Sequence, residues 1–131
     1  MRYLYSAVFS PSEDEGKVYA RVPDLPGCIT TGSSLQDAII QITDAASGWL
    51  VVAEDNSIPI PPATPQADIE RAPSDILSVI CVDSLAYRAR TDTRSVRKNV
   101  SLPAWLARLA DARGVNCSQV LQEALISRFD G

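Results

Sequence analysis

Arg97, Asn99 and Ser101 occupy alternate positions of a short run, Val96-Arg97-Lys98-Asn99-Val100-Ser101-Leu102. In a strand, successive side chains point to opposite faces. Val100 and Leu102 therefore share one face, and Arg97, Asn99 and Ser101 the other. A guanidinium pairs bidentately with guanine, a carboxamide with adenine, and a hydroxyl with either, so the polar face carries groups suited to reading base edges in a major groove. Lys98 falls on the apolar face, where its reach suits a phosphate. Arg94, just upstream, suits a phosphate as well. So does the start of a helix at Asn116 to Ser118, which offers backbone N–H groups and a hydroxyl. The plainer alternative is a solvated edge strand whose charges only blunt aggregation.

The elements that would position these groups follow directly. Pro103 opens a helix with apolar positions at Trp105, Leu106, Leu109 and Ala110, and Gly114 ends it. Asn116 is a good N-cap for a second helix, whose apolar residues Val120, Leu121, Ala124, Leu125 and Phe129 fall at helical spacing. Strand, helix and helix in this span are too little chain to bury a core alone, since domains below roughly 40 residues need a metal, disulfides or a partner chain. The segment is expected to dimerise. It resembles the ribbon-helix-helix family on its basic strand ending in Asn-Val-Ser-Leu-Pro, its Gly-containing turn and its capped second helix. The resemblance implies two intertwined chains whose strands pair into an antiparallel ribbon that enters the DNA major groove. Lys98 departs from the pattern, because family members often carry a hydrophobe there.

Charge divides the chain. Residues 1–85 hold four Lys or Arg against twelve carboxylates, a net of −8, whereas residues 86–131 hold eight against four, a net of +4. A basic half can meet phosphate, and an acidic half suits a basic protein partner. Cys28, Cys81 and Cys117 share no metal-ligand spacing and read as reduced thiols of a cytoplasmic protein. Histidine is absent, which excludes Ser-His-Asp and Cys-His chemistry and leaves no nitrogen ligand for zinc. No run approaches the ~20 apolar residues that span a bilayer, so no membrane association is expected. No metal and no cofactor is expected either.

The first 85 residues read as strand, strand, strand, helix, strand. Arg2 to Ser10 alternates, with Tyr3, Tyr5, Ala7 and Phe9 on one face. Pro11 to Gly16 is a turn by composition, and Lys17 to Val22 returns. Asp24-Leu25-Pro26-Gly27 breaks the pattern, and Cys28 to Thr31 leads through Gly32 and Ser33 into a helix. That helix, about Ser34 to Asp55, has the clearest periodicity of the chain, from Leu35 to Ala53. Ile58 to Ala72 holds four of the nine prolines and reads as a surface connection. Ile76 to Val82 is a nearly continuous apolar run, expected to be an interior strand. Asp24, Asp37, Asp44 and Glu54 are the carboxylates that a two-metal nuclease would need to converge. Asp37 and Asp44 lie on the helix face opposite the apolar stripe, which argues for solvated charges and against an enzyme.

Tyr5-Ser6-Ala7-Val8-Phe9, the acidic turn, Val22-Pro23-Asp24-Leu25-Pro26-Gly27-Cys28, Thr31-Gly32-Ser33 and Leu35-Gln36-Asp37-Ala38 together resemble the HicB antitoxin family of type II toxin-antitoxin pairs. The likeness covers residues 1 to about 85, and an attached ribbon-helix-helix module is one form that family takes. The expectation is an α+β chain. A partly RNase H-like toxin-binding domain spans 1–85, a basic linker 86–94, and a dimerisation and DNA-binding module 95–131. The resemblance implies an antitoxin that blocks a HicA-type mRNA interferase toxin and represses its own operon by binding operator DNA. Paired chains give a dimer, and further association through the N-terminal domains would give a tetramer. The alternative is a free-standing ribbon-helix-helix regulator whose N-terminal domain binds a ligand or another protein, with a residual metal-dependent nuclease behind it.

Overall fold

A computed structural model describes residues 1–13 and 15–130; Asp14, expected in the first turn, and Gly131, the end of the expected DNA-binding module, lie outside the described residues. Strands β1 (Arg2–Pro11), β2 (Val18–Arg21), β3 (Ile29–Gly32) and β4 (Ile76–Asp83) form one antiparallel sheet in the order β3-β2-β1-β4. Helix α1 (Leu35–Asp55) lies on one face of it. The period-2 pattern of β1 sends Tyr5, Ala7 and Phe9 to that face, where Ala20, Val22 and Leu25 meet Ala38, Ile42, Ala46 and Leu50. Ser34 caps α1, its side chain accepting from the Asp37 N–H. At the β3–α1 turn a Cβ on Gly32 would sit 2.3 Å from the backbone nitrogen of Ala38. No side chain fits there, which explains the glycine of Thr31-Gly32-Ser33.

One expectation fails. The apolar run Ile76–Asp83 is an edge strand flanked only by β1. Its inward residues Ile80 and Val82 join the core, but Val79 and Cys81 are exposed on the face that carries no helix. The run is continuous because both of its sides are apolar, although Val79 and Cys81 lie open. The connection from 56 to 75 is pinned to the domain by polar contacts. Tyr5 Oη donates to the Pro61 carbonyl, Thr64 N–H to Asp24, and Arg21 Nη2 to the Glu70 carbonyl. Its one regular turn is a short 3-10 turn, Gln66–Asp68.

Part of the expected basic linker 86–94 is regular. Ser84–Thr91 is a helix, α2, running directly out of β4. The Asp83 side chain accepts from the Ala86 N–H and caps it. Helix α2 packs on α1, with the Tyr87 hydroxyl close over Gly48, where an added Cβ would stand 3.2 Å from it. Two further helices follow, α3 (Ala104–Ala112) and α4 (Cys117–Phe129). No helix among the described residues is long and apolar enough to cross a membrane.

Candidate functional site

The C-terminal segment is locally well specified. At the end of α3, Gly114 takes the left-handed conformation (φ +65°) while its N–H donates to Asp111 and the Val115 N–H donates back to Ala110. This is the Schellman stop that a glycine just past a helix supplies. Asn116 Oδ1 accepts from the Gln119 N–H at 3.1 Å and starts α4. Local order is not matched by burial, for no residue from 92 to 130 is buried. Trp105 is 66% exposed and Val96 91%. Leu106, Leu109, Val120, Leu121, Leu125 and Phe129 are all open to solvent as well. A contiguous apolar surface of this kind marks an interaction face. Between the two helices and the preceding segment lies a groove of about 440 Å³, whose walls include Lys98, Val100, Leu102, Leu106, Leu121 and Ala124.

The candidate DNA-contacting residues fall into distinct places. Lys98 lines the groove with Val100 and Leu102, while Arg97, Asn99 and Ser101 are exposed and do not line it. Ser118 borders the groove rather than standing apart from it, and the Asn116 side chain is occupied by capping. Arg94 is not a free cation, since its Nε and Nη2 donate to the two carboxylate oxygens of Asp92 at 2.9 and 3.0 Å. Those bonds hold the Asp92 carboxyl down at about 2 and push the Arg94 guanidinium up. The segment Val96–Leu102, expected as a strand, forms neither strand nor helix within this chain.

In the N-terminal domain the four candidate carboxylates do not converge, and each already has partners. Asp24 accepts from the N–H and hydroxyl of Thr64. Asp37 accepts from the N–H and hydroxyl of Ser33, and the backbone bond above all holds its carboxyl below the usual range. Asp44 pairs with Arg90 at 2.9 Å. Glu54 accepts from Tyr3 Oη at 2.7 Å, Ser84 Oγ at 3.0 Å and Arg88 Nη2 at 3.1 Å. Burial works against the Glu54 charge, but these three donors outweigh it and lower its pKa; burial and the Glu54 bond together push the Tyr3 hydroxyl up to about 12. No group of three potential metal ligands gathers among the described residues. Asp24-Leu25-Pro26-Gly27 forms a tight turn with Leu25 fully buried, and the Pro26 carbonyl accepts from Trp49 Nε1.

The docking of α2 escaped the sequence reading. Arg88 bonds both Glu54 and Asp55, and Arg90 bonds Asp44, so both arginines tie α2 to α1. The signal was present: Asp83 just before Ser84-Leu85-Ala86, with arginines in the last turn, is a helix start and stop in its own right.

The described residues thus combine a sheet-and-helix domain with two helices whose apolar residues are exposed, an arrangement that suits the binding of other molecules. The family comparison agrees: residues 5–126 match the model of the HicB-like antitoxin of bacterial toxin-antitoxin systems. The chain belongs to that family, which is one of antitoxins and not of known enzymes. Among solved structures it is similar to a chain of a toxin-antitoxin complex from Streptococcus pneumoniae, with a TM-score of 0.59 and 18% identity over 98% of this chain and 99% of that one. The antitoxin HicB of Burkholderia pseudomallei matches with a TM-score of 0.56 and 18% identity, over 97% of this chain and 98% of the other. Antitoxin HicB3 matches with 0.51 and 21%, over 97% and 98%. At these identities the likeness is one of fold. No curated protein matches the sequence.

Proposed function

We propose that this chain neutralises a cognate toxin of the HicA type through its acidic N-terminal domain, and that its C-terminal module pairs two chains and binds the operator of its own operon. The observation that carries the reading is the family match across 5–126, joined to the opposite charges of the two halves. Toxin binding rests on the family and on the net −8 of residues 1–85, which suits a basic protein. DNA binding rests on the C-terminal module. Its exposed apolar surface calls for a second chain, and pairing through the Val100 and Leu102 side leaves Arg97, Asn99 and Ser101 facing outward. Lys98, which lines the groove beside them, would snorkel its ammonium to a phosphate at the rim. Ser118 and the start of α4 add a backbone-directed contact.

The domain division follows the same logic with one adjustment. The toxin-binding unit includes α2, because Arg88 and Arg90 bind it to α1. The connection to the DNA-binding module is then the segment from Asp92 to Pro103. Co-expression tests the proposal. A neighbouring reading frame encoding a small basic protein should arrest growth when expressed alone, and this chain should restore growth and co-purify with it. If the neighbour is harmless and does not co-purify, the antitoxin reading fails for this chain.

A further inference from the structure

Strand β3 (Ile29–Gly32) borders the sheet, with β2 on one side and no strand among the described residues on the other. Hydrogen bonding alternates along an antiparallel pair. The Cys28 carbonyl accepts from the Val22 N–H, so Thr30 and Gly32 turn their backbone groups toward β2, and Ile29 and Thr31 turn theirs away from it. The Ile29 N–H is taken up by the Gly27 carbonyl. The Ile29 carbonyl and the N–H and carbonyl of Thr31 are left facing outward, on an edge with neither charge nor proline. Shortness is the one device that blunts it. A hollow lies on each side of this edge. On the helix side, Gly27, Trp49, Val52 and Ile58 wall a groove of about 370 Å³. On the helix-free side, Tyr19, Arg21 and Thr31 wall another of about 430 Å³. Ile29, 71% exposed, borders both.

We propose that β3 is the toxin-binding edge: an extended segment of the basic toxin adds to it as a further strand and sends alternate side chains into the two hollows. The inference rests on the antitoxin reading and gives it a surface and a mode of recognition. In strand addition the main-chain bonds supply affinity and the pockets choose the side chains. Successive residues of an added strand point to opposite faces of the sheet, which is where the two hollows lie. Three outward backbone groups are few, so side-chain anchors must carry much of the contact. Trp49 is one, its Nε1 donating to the Pro26 carbonyl and holding the indole at the wall of the helix-side groove. The surroundings set the charge of the partner. Toward the Gly32 end of the edge stand Glu15, held by the Tyr19 hydroxyl at 2.7 Å, and Asp37, held by Ser33, on a domain of net −8. Arg21, in the second hollow, already donates to the Glu70 carbonyl. A basic segment is attracted to this edge, whereas a second copy of the acidic domain is repelled.

Calorimetric titration of the full chain with the small basic product of the neighbouring reading frame tests it. Ile29 is exposed and the Thr31 N–H lies outside the β2 ladder, so neither Ile29→Asp nor Thr31→Pro disturbs the core or the existing pairing. Ile29→Asp should weaken binding about tenfold or more, as the loss of an interface anchor does. Thr31→Pro should weaken it about fivefold, the share of one interstrand bond. Val79→Asp, on the opposite edge, should change it by less than about twofold. Hydrogen exchange of the wild type gives a readout that needs no variant: the Thr31 amide should exchange readily in the free chain and become protected in the complex. The inference is overturned if both β3 variants, shown by circular dichroism to be folded, bind within about twofold of wild type, if Val79→Asp weakens binding more than they do, or if the Thr31 amide stays unprotected in the complex. It is overturned as well if the β3 variants lower the mass of the toxin-free assembly and leave toxin affinity unchanged, since a second copy then holds the edge. A wild type that binds no toxin fails the antitoxin reading and this inference with it, whereas tight wild-type binding with unaffected β3 variants fails the edge alone.

Discussion

Glu54→Gln removes one charge from the C-terminal end of α1 and nearly preserves its shape. The native carboxylate receives three donors, from Tyr3, Ser84 and Arg88. A Gln has one accepting oxygen and presents an NH2 group where a donor now points, so at least one bond is lost and the Arg88 bond loses its ionic character. Asp55, 2.8 Å from Arg88, keeps the guanidinium partly paired. Bonds to charged groups contribute about 1.5–3 kcal/mol and neutral ones about 0.5–1.5 kcal/mol, so the substitution should cost about 1.5–3 kcal/mol. Urea unfolding of both proteins at one chain concentration measures it. The pH dependence adds a sign. Glu54 has a native pKa below its unfolded value, so its contribution is complete above the unfolded value and disappears as the pH falls through the native one. The gap between wild type and Glu54→Gln should be full near pH 7 and close as the pH falls through the lowered native value. A loss below about 0.5 kcal/mol near pH 7, the size of an ordinary surface change, would refute the network's structural role. So would a gap that does not change with pH.

Three other outcomes are expected. Ile42, fully buried between α1 and the sheet, should cost about 2–5 kcal/mol as Ile42→Ala in the same unfolding assay. Asn99→Ala and Arg97→Ala should each weaken operator binding by about 1–3 kcal/mol with little effect on a scrambled duplex, measured by fluorescence anisotropy. In that assay Arg94→Ala should weaken both duplexes by less than a free phosphate-contacting arginine would and flatten the salt slope by under about one unit, because Asp92 already shares its charge.

Much of the fold is legible in the residues, where the pattern is local. The stripe from Leu35 to Ala53 marks α1, and the alternation of Tyr3, Tyr5, Ala7 and Phe9 marks the core face of β1. Gly114 and Asn116 set the α3–α4 turn by their own backbone and side-chain bonding. What was not legible depends on distant partners. The apolar run of β4 looks interior because hydropathy cannot tell a covered face from an uncovered one. Helix α2 is short, and its hold on α1 comes from Arg88 and Arg90 meeting carboxylates some 33 to 46 positions earlier. The alternation in 96–102 reads as a strand, yet the segment forms none within this chain, since alternation alone supplies no hydrogen-bonding partner. The carboxylates Asp24, Asp37, Asp44 and Glu54 are legible as residues but not as a site, and their partners show four separate structural roles.

Growth of cells expressing the toxin beside residues 1–92 of this chain tests the central claim most directly. The fragment keeps the sheet, α1 and the docked α2 and removes the whole C-terminal module. Growth restored to the level given by the full chain, with operator binding abolished, is the predicted result. Growth arrest with the fragment folded and present would contradict it, and would place toxin neutralisation outside the acidic domain.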